Sequence, residues 1–404
     1  MILSGVNVLV GVTGGIAAYK SCELIRDLKR EGADVRVMIT RNAQNFITPI
    51  TLQTLSGNAV ATEMFDANRS QIEHISLADW PDVVIIAPAT ANTIARFAHG
   101  FADDIVSSTV LASEKPIVIA PAMNTKMWEN HATVENIETL KRRSFFFSGP
   151  ASGQLATDLE KDGMGRLIET EKLIAAVVRA QFATNDLAGV NVVVSAGRTE
   201  EYFDPVRMLT NRSTGKMGFA IAEMAVAAGA NVTLISGPSS LSPPEFVEHI
   251  PVVTALEMLE AVEQNYPDDG VLIMSAAVSD FRPETTSEQK IKKGGEELGV
   301  RLTKNPDILR SVANRKKTAI HVGFALETSN ETANATKKLR AKKLDLIVLN
   351  NPKTPNAGFA AQTNKVQFLF ADGAKENFPV KDKRLVALDI LNRVAKLRSS
   401  KTAA

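Results

Sequence analysis

The sequence predicts two α/β domains in tandem, each a doubly wound, Rossmann-like three-layer sandwich, and three observations carry that prediction. Short, almost continuously apolar runs alternate with helix-patterned stretches, as expected of parallel strands covered on both faces. The alternation halts in a polar stretch, 183–189, and restarts at Asn191. A chain of 404 residues also exceeds one ordinary core, at roughly 100–200 residues per domain. Residues 1–185 and 189–404 are therefore read as separate domains.

In the first domain the strand-like runs are Val8–Val12, Asp34–Ile39, Asp82–Ala87 and Pro116–Ala120, with a helix expected over Ile16–Arg30. In the second they are Asn191–Ala196, Asn231–Ser236, Gly270–Ala276, Ala319–Phe324 and Leu344–Leu349, with a helix over Ala220–Ala228. Lys365–Ala371 and Lys375–Val380 flank Asp372-Gly373, a hairpin signal. The closing helix, Arg384–Leu397, gathers basic residues toward its C-terminus, where the macrodipole favours them. No sequence repeat relates the halves.

Composition narrows the function. With 46 basic and 45 acidic side chains there is no charge excess to hold nucleic acid or a membrane surface, which points to small-molecule ligands. A single cysteine, Cys22, rules out an intramolecular disulfide and fits a reducing compartment, so the cytoplasm is expected. The first residues lack a basic leader region, and no apolar run approaches the ~20 residues that span a bilayer.

Four blocks carry chemistry in the first half. Gly11-Val12-Thr13-Gly14-Gly15-Ile16 joins a strand to a helix, so that the amides of Gly14 and Gly15 can approach a phosphate and Thr13 can add a hydroxyl; a tight turn needs such glycines for packing as well. The spacing is not Gly-x-Gly-x-x-Gly, so a dinucleotide is not implied. Thr90-Ala91-Asn92 follows another strand and offers polar groups at the sheet's carboxyl edge, with Thr90 equally suited to cap a helix. Pro121-Ala122-Met123-Asn124 ends a third strand, its Asn124 suited either to a carboxylate or to a turn, and Pro150-Ala151-Ser152-Gly153 opens a Gly-rich loop. His74, between Glu73 and Ile75, reads on its own as a structural histidine.

With these blocks in this order, residues 1 to about 185 resemble the flavin-dependent cysteine decarboxylases. The resemblance implies FMN held by Thr13, Gly14, Gly15, Thr40, Asn92 and Ser107, with His74 as acid/base or positioning group. It further implies Asn124 on the substrate carboxylate, and Ser152 and Gly153 on a loop closing over the substrate. Flavin fits the chemistry: oxidising the CH₂–SH arm to a thioaldehyde supplies the electron sink that loss of CO₂ requires. The resulting enethiolate must then regain the hydride from reduced flavin and a proton on carbon, the latter taken in the coenzyme A branch of the family from a loop cysteine. Here Thr157 stands at that position, and a hydroxyl is a far weaker acid than a thiol. Three readings stay open: Asp158 or water donates the proton, the reaction stops at the aminoenethiol, or the first site only binds ligand.

In the second half, Asn211-Arg212-Ser213-Thr214-Gly215-Lys216 sets hydroxyls and glycine ahead of a helix, though the Walker spacing is absent. Asp280 leaves a strand, positioned for a ribose or metal. Three separated lysine runs, around Lys290, Lys304 and Lys337–Lys343, would be a solvated face in isolation but lie near strand ends with cations enough for a triphosphate. From about Gly189 onward these blocks resemble phosphopantothenate–cysteine ligase. That resemblance implies CTP activation of a carboxylate to an acyl-cytidylate, displaced by the cysteine amine. Asn211 would contact the acyl intermediate and Lys290 assist activation. Asp280, Asn305 and Phe324 would hold substrate or nucleoside, and Lys338 with Lys342 the phosphates. Mg²⁺ would bridge triphosphate oxygens, with no protein ligand assigned.

Together the two resemblances imply an N-terminal flavodoxin-like flavoprotein domain and a C-terminal nucleotide-binding ligase domain, a bifunctional enzyme of coenzyme A biosynthesis. Its substrates would be 4′-phosphopantothenate, cysteine and CTP. They also imply a homo-oligomer of trimeric flavin domains and dimeric ligase domains, without nucleic-acid or membrane partners.

Overall fold

The computed structural model describes residues 1–64, 73–153, 163–292, 299–327, 330–351, 358 and 361–402. The chain divides into two compact units, Met1–Phe182 and Ala183–Ala404. The polar stretch after 182 belongs to the second unit because its amides are spent there: Thr184 N–H donates to Ala227 O (2.9 Å) and Leu187 N–H to Ala228 O (3.0 Å).

The first unit holds six parallel strands: β1 (Asn7–Val12), β2 (Asp34–Ile39), β3 (Val60–Ala61), β4 (Val83–Ala89), β5 (Ile117–Pro121) and β6 (Phe146–Phe147). Their order is β3-β2-β1-β4-β5-β6. β4 and β5 are buried at every position, which is why both read as unbroken apolar runs. The doubly wound expectation holds, and the flavodoxin-like detail is refined: this is the Rossmann strand order, whereas flavodoxins run 2-1-3-4-5. In either order the crossover reverses at one point, here between β1 and β4, and opens a crevice at the strands' carboxyl ends. In the core of this unit Leu9, Val84, Ile86 and Ile119 from the strands cluster with Ile94, Phe97, Val106 and Leu140 from the helices.

The helix expected from Ile16 begins instead as a 3₁₀ turn, Ile16–Lys20, and becomes α-helical over Ser21–Arg30. Tighter winding at a helix start is common. Here the junction is pinned, with the Ser21 hydroxyl donating to Ala87 O (2.8 Å) at the end of β4.

The second unit repeats the design. Its sheet comprises β7 (Asn191–Ala196), β8 (Asn231–Ser236), β9 (Val247–Pro251), β10 (Val271–Met274), β11 (Ile320–Leu326), β12 (Leu346–Asn350), β13 (Val366–Phe370) and β14 (Lys375–Asn377). The order is β9-β8-β7-β10-β11-β12-β13-β14, the first six parallel and the last two an antiparallel hairpin. The hairpin expected around Asp372-Gly373 is present, closed by Gly373 N–H donating to Phe370 O (3.0 Å). Charged residues on β14 protect that edge from further pairing. β3, β6 and β9 escape the sequence reading: two are two-residue strands, and β9 (Val-Glu-His-Ile-Pro) is a partly exposed strand on the sheet's other edge.

The closing helix runs over Lys383–Thr402, longer than expected, burying Val386, Ala387, Ile390, Leu391 and Val394. Near its end Lys401 meets Asp345 (2.9 Å), which also pairs with Lys316 (2.7 Å) and accepts from the His321 backbone N–H (2.8 Å). His321 itself is fully buried, with its Nε2 2.7 Å from the Tyr266 hydroxyl. Burial, aided by Lys316, drives its pKa down to about 4. No helix among the described residues is long and apolar enough to cross a membrane.

Candidate active sites

In the first unit the loops after β1, β2, β4 and β5 enclose a cavity of about 950 Å³. Of the expected residues, Gly14, Gly15, Thr40, Asn92 and Asn124 line it. Gly14 must be glycine, because a Cβ there would sit 2.6 Å from Asn42 Cβ, where the loop after β2 closes on it. The result is a bare backbone cradle at the switch point, the form an anionic group takes up. Asn124 accepts from Lys126 N–H through Oδ1 (2.8 Å), capping the short helix Thr125–Trp128.

Thr13 and Ser107 stand elsewhere. Thr13 is 1% exposed, its hydroxyl donating to Pro88 O (2.7 Å) and accepting from Thr90 N–H (3.1 Å). That hydroxyl ties the β1 loop to the β4 loop and is not presented to a ligand. Ser107 closes a capping box with Asp104, donating to Oδ1 (2.9 Å) at the start of the helix Ile105–Ala112. The cavity wall at that point is Asp104 itself, paired with Arg96 (2.6 Å).

His74 opens the helix Glu73–Asp79 and does not line the cavity, but its Nδ1 is buried without a hydrogen-bond partner among the described residues. Thr157 and Asp158 lie outside the described residues. Ser152 and Gly153 form one arm of a hairpin, Ala151–Gly153 paired with Gly163–Arg166, and the cavity is lined from the other arm by Gly165 and Arg166. Gly165 has φ +143°, and a Cβ would fall 2.1 Å from Met123 O; Met123 N–H donates to Gly165 O (2.9 Å). The hairpin and the Pro-Ala-Met-Asn turn are therefore one structure, a contact that neither motif discloses alone. Cys22 is half-buried, and burial pushes its thiol up.

The second unit gathers its motifs more completely. A cavity of about 450 Å³ at the carboxyl ends of β7, β10, β11 and β12 is lined by Asn211, Asp280, Asn305, Phe324, Lys338 and Lys342. Asn211 reaches across from the loop before the helix Lys216–Ala227, its Nδ2 donating to Ala277 O (3.0 Å). Asn305 donates to Ser279 O (2.8 Å), fixing the strand end that presents Asp280. Both lysines expected to hold phosphates are already paired, Lys338 with Glu327 (2.7 Å) and Lys342 with Asp307 (2.9 Å). Lys338 holds the Glu327 carboxyl below the usual range.

Lys290 is exposed and does not line this cavity. Its neighbour is nevertheless anchored, since Ile291 N–H donates to the wholly buried Asp204 (3.1 Å). Burial alone would raise the Asp204 pKa, but the Val206, Ile291 and Arg207 amides with the Arg207 guanidinium outweigh it and hold the carboxyl low. Sequence reasoning missed Lys383, 5% exposed on the cavity wall, which donates to Gly358 O (2.9 Å) and Ala361 O (2.7 Å). Burial, with Lys216 nearby, lowers its pKa to about 8. It opens the closing helix, where sequence offers only another lysine in a basic segment.

Comparison with known proteins finds a family for each half of the chain. Residues 2–181 match the flavoprotein family, and residues 187–397 match the C-terminal domain family of DNA/pantothenate metabolism flavoproteins. The chain is 45% identical over 399 residues to the coenzyme A biosynthesis bifunctional protein CoaBC of Bacillus subtilis, covering 98% of each chain. It is 43% identical over 400 residues to the Escherichia coli K12 protein of the same name, again covering 98% of both. The solved C-terminal domain of a CoaBC protein is 38% identical, spans 54% of this chain and all of its own, and gives a TM-score of 0.47. The chain belongs to the family of coenzyme A biosynthesis bifunctional CoaBC proteins.

Proposed function

We infer that this protein joins 4′-phosphopantothenate to cysteine in its second unit, at the expense of CTP, and decarboxylates the product to 4′-phosphopantetheine in its first. The single observation that carries the reading is that two separate cavities, each at the switch point of its own sheet, are lined by the motif residues of the corresponding chemistry.

In the second unit a carboxylate is a poor acyl donor until a nucleotidyl group is attached to it. Lys338 and Lys342 exchange their carboxylate partners for triphosphate oxygens, and Asp280 and Phe324 border the nucleoside. Mg²⁺ would accompany the triphosphate and would offset its negative charge, with no side chain assigned to hold it. Asn211 stands where the acyl group lies when the cysteine amine attacks and CMP leaves. Lys290 comes to the triphosphate from the strap that Asp204 anchors.

In the first unit the Gly14–Gly15 cradle and Asn92 fit the phosphate-bearing end of FMN. When bound, the flavin supplies a hydride acceptor and donor. Asn124 orients the substrate carboxylate, and the hairpin seated on Met123 screens it from water. His74, with an unspent ring nitrogen, is the available proton-handling group beside this unit's loops. A cytoplasmic homo-oligomer, with trimeric flavin units and dimeric ligase units, completes the reading.

The test is incubation of the purified protein with 4′-phosphopantothenate, cysteine and CTP, with mass analysis of every thiol formed and a visible spectrum of the protein. The expected products are 4′-phosphopantetheine, CO₂, CMP and pyrophosphate from a yellow protein. A product arrested at the aminoenethiol would show that the Thr157 loop cannot return the proton. A colourless protein that stops at the acylcysteine would refute the decarboxylase half.

A further inference from the structure

Arg166 lines the first cavity, yet no motif points to it. Its position is fixed from both sides. The preceding residue, Gly165, is locked against the Met123 carbonyl, and across the hairpin the guanidinium lies over Gly153, where a Cβ would be 3.7 Å from Nε and 4.0 Å from Cζ. Arg166 is thereby held beside the turn that presents Asn124.

Its hydrogen bonding is incomplete. Nη2 pairs with the Glu169 carboxylate, while Nε is buried and has no partner among the described residues. A buried guanidinium N–H without an acceptor is rare, because the group has given up water for nothing. The side chain as a whole remains two-fifths exposed, within reach of a ligand entering from solvent. Arg96, on the same cavity, differs: carboxylates of both Asp103 (3.0 Å) and Asp104 (2.6 Å) already hold it. Glu169 is more than half exposed, and an exposed carboxylate is readily exchanged for a better-placed anion.

We propose that Arg166 is a substrate-binding residue of the first site, receiving an anionic oxygen of the acylated cysteine substrate on its planar fork while Glu169 holds the fork in register until the substrate arrives. The proposal rests on the decarboxylase reading above. Two anionic groups of the substrate carry that chemistry, the cysteine carboxylate and the terminal phosphate, and both suit a forked donor better than a lysine.

The experiment uses the full-length flavoprotein, with Arg166→Gln and Arg166→Lys. Steady-state CO₂ release from 4′-phosphopantothenoylcysteine should show KM raised about ten- to a hundredfold in Arg166→Gln, the range of a lost charged hydrogen bond, with kcat within about twofold. Arg166→Lys should recover part of it. Direct binding of two probes then locates the anion. Weakened binding of 4′-phosphopantetheine alone assigns the phosphate, and weakened binding of pantothenoylcysteine alone assigns the carboxylate. Unchanged affinity for both probes in Arg166→Gln would overturn the proposal. So would loss of bound flavin in both variants, which would make Arg166 a structural residue. Absence of CO₂ release from the parent protein would instead sink the decarboxylase reading, and the two binding arms would still decide the role of Arg166.

Discussion

The two units lay six parallel strands in the same order and open a cavity at the same place, but they furnish it in different ways. The first cavity sets a bare backbone cradle at Gly14 and the neutral side chains of Thr40, Asn92 and Asn124 beside arginines held on carboxylates, Arg96 on Asp103 and Asp104 and Arg166 on Glu169, and its loops are joined by close backbone approach at Gly14 and Gly165. The second is half the size, with Lys338 and Lys342 on its wall already held on carboxylates, and its loops are joined through side chains such as the buried Asp204 and the partly buried Asn305. A shared strand order therefore places both cavities at the same point of their sheets, and the loops set the size and lining of each.

That contrast can be broken most sharply at Asn211. Asn211→Ala should slow amide formation about a hundred- to a thousandfold, on the scale of removing one donor from a developing charge. Acyl-cytidylate should accumulate in a quenched-flow trace while CO₂ release from supplied acylcysteine is untouched. Ligation at the parental rate would remove Asn211 from the mechanism.

Stability should separate the units with acid. His321 has a folded pKa near 4 against 6.5 for the free side chain, so the native unit stays neutral where the unfolded chain takes up a proton. Its contribution is intact above about pH 6.5 and is lost as pH falls toward 4, to a limit of about 3 kcal/mol. Both tryptophans, Trp80 and Trp128, lie in the first unit. Urea unfolding at pH 7 and pH 5, followed by tryptophan fluorescence and by far-ultraviolet circular dichroism, should therefore show the acid loss mainly in the second signal. His321→Asn should flatten it; an equal loss in that variant would clear His321 of the effect.

Gly165→Ala places a Cβ against the Met123 carbonyl and must unseat the hairpin. An ångström-scale displacement costs on the order of a hundredfold in turnover, so CO₂ release should fall that far while CTP consumption holds. Parallel loss of both activities would mean that the units are not independent. Lys338→Ala should raise KM for CTP about tenfold with little change in kcat, because its contact is made equally in ground and transition states. Thr13→Val is the mildest test. It should cost the first unit about 1–2 kcal/mol of stability, read in the tryptophan signal, and leave flavin content unchanged, since the hydroxyl serves the protein's own loops.

Much of this was legible in the sequence. Buried strands such as β4 and β5 must be apolar on both faces, and a helix beginning after Thr90 or Asn124 announces its cap, so fold class and most strand positions follow from local pattern. Asn211, Asp280, Asn305, Phe324, Lys338 and Lys342, singled out from separate sequence blocks, meet on one cavity. Thr13 and Ser107 do not line the cavity, which sequence could not reveal, because a hydroxyl near a phosphate loop looks the same in sequence whether it faces open space or a protein acceptor such as Pro88 O or the Asp104 carboxylate.

What the sequence alone determined is therefore the identity of the two chemistries and the alternation that builds the two sheets, because both are written in short-range spacing. Only the tertiary structure decided which polar groups remain available. The spending of Thr13 on Pro88, the seating of Gly165 on Met123, the burial of Lys383 and the unspent N–H of Arg166 all depend on pairings between segments far apart in the chain. A hydrogen bond is a matter of two partners and a direction, and sequence specifies only the partners' types.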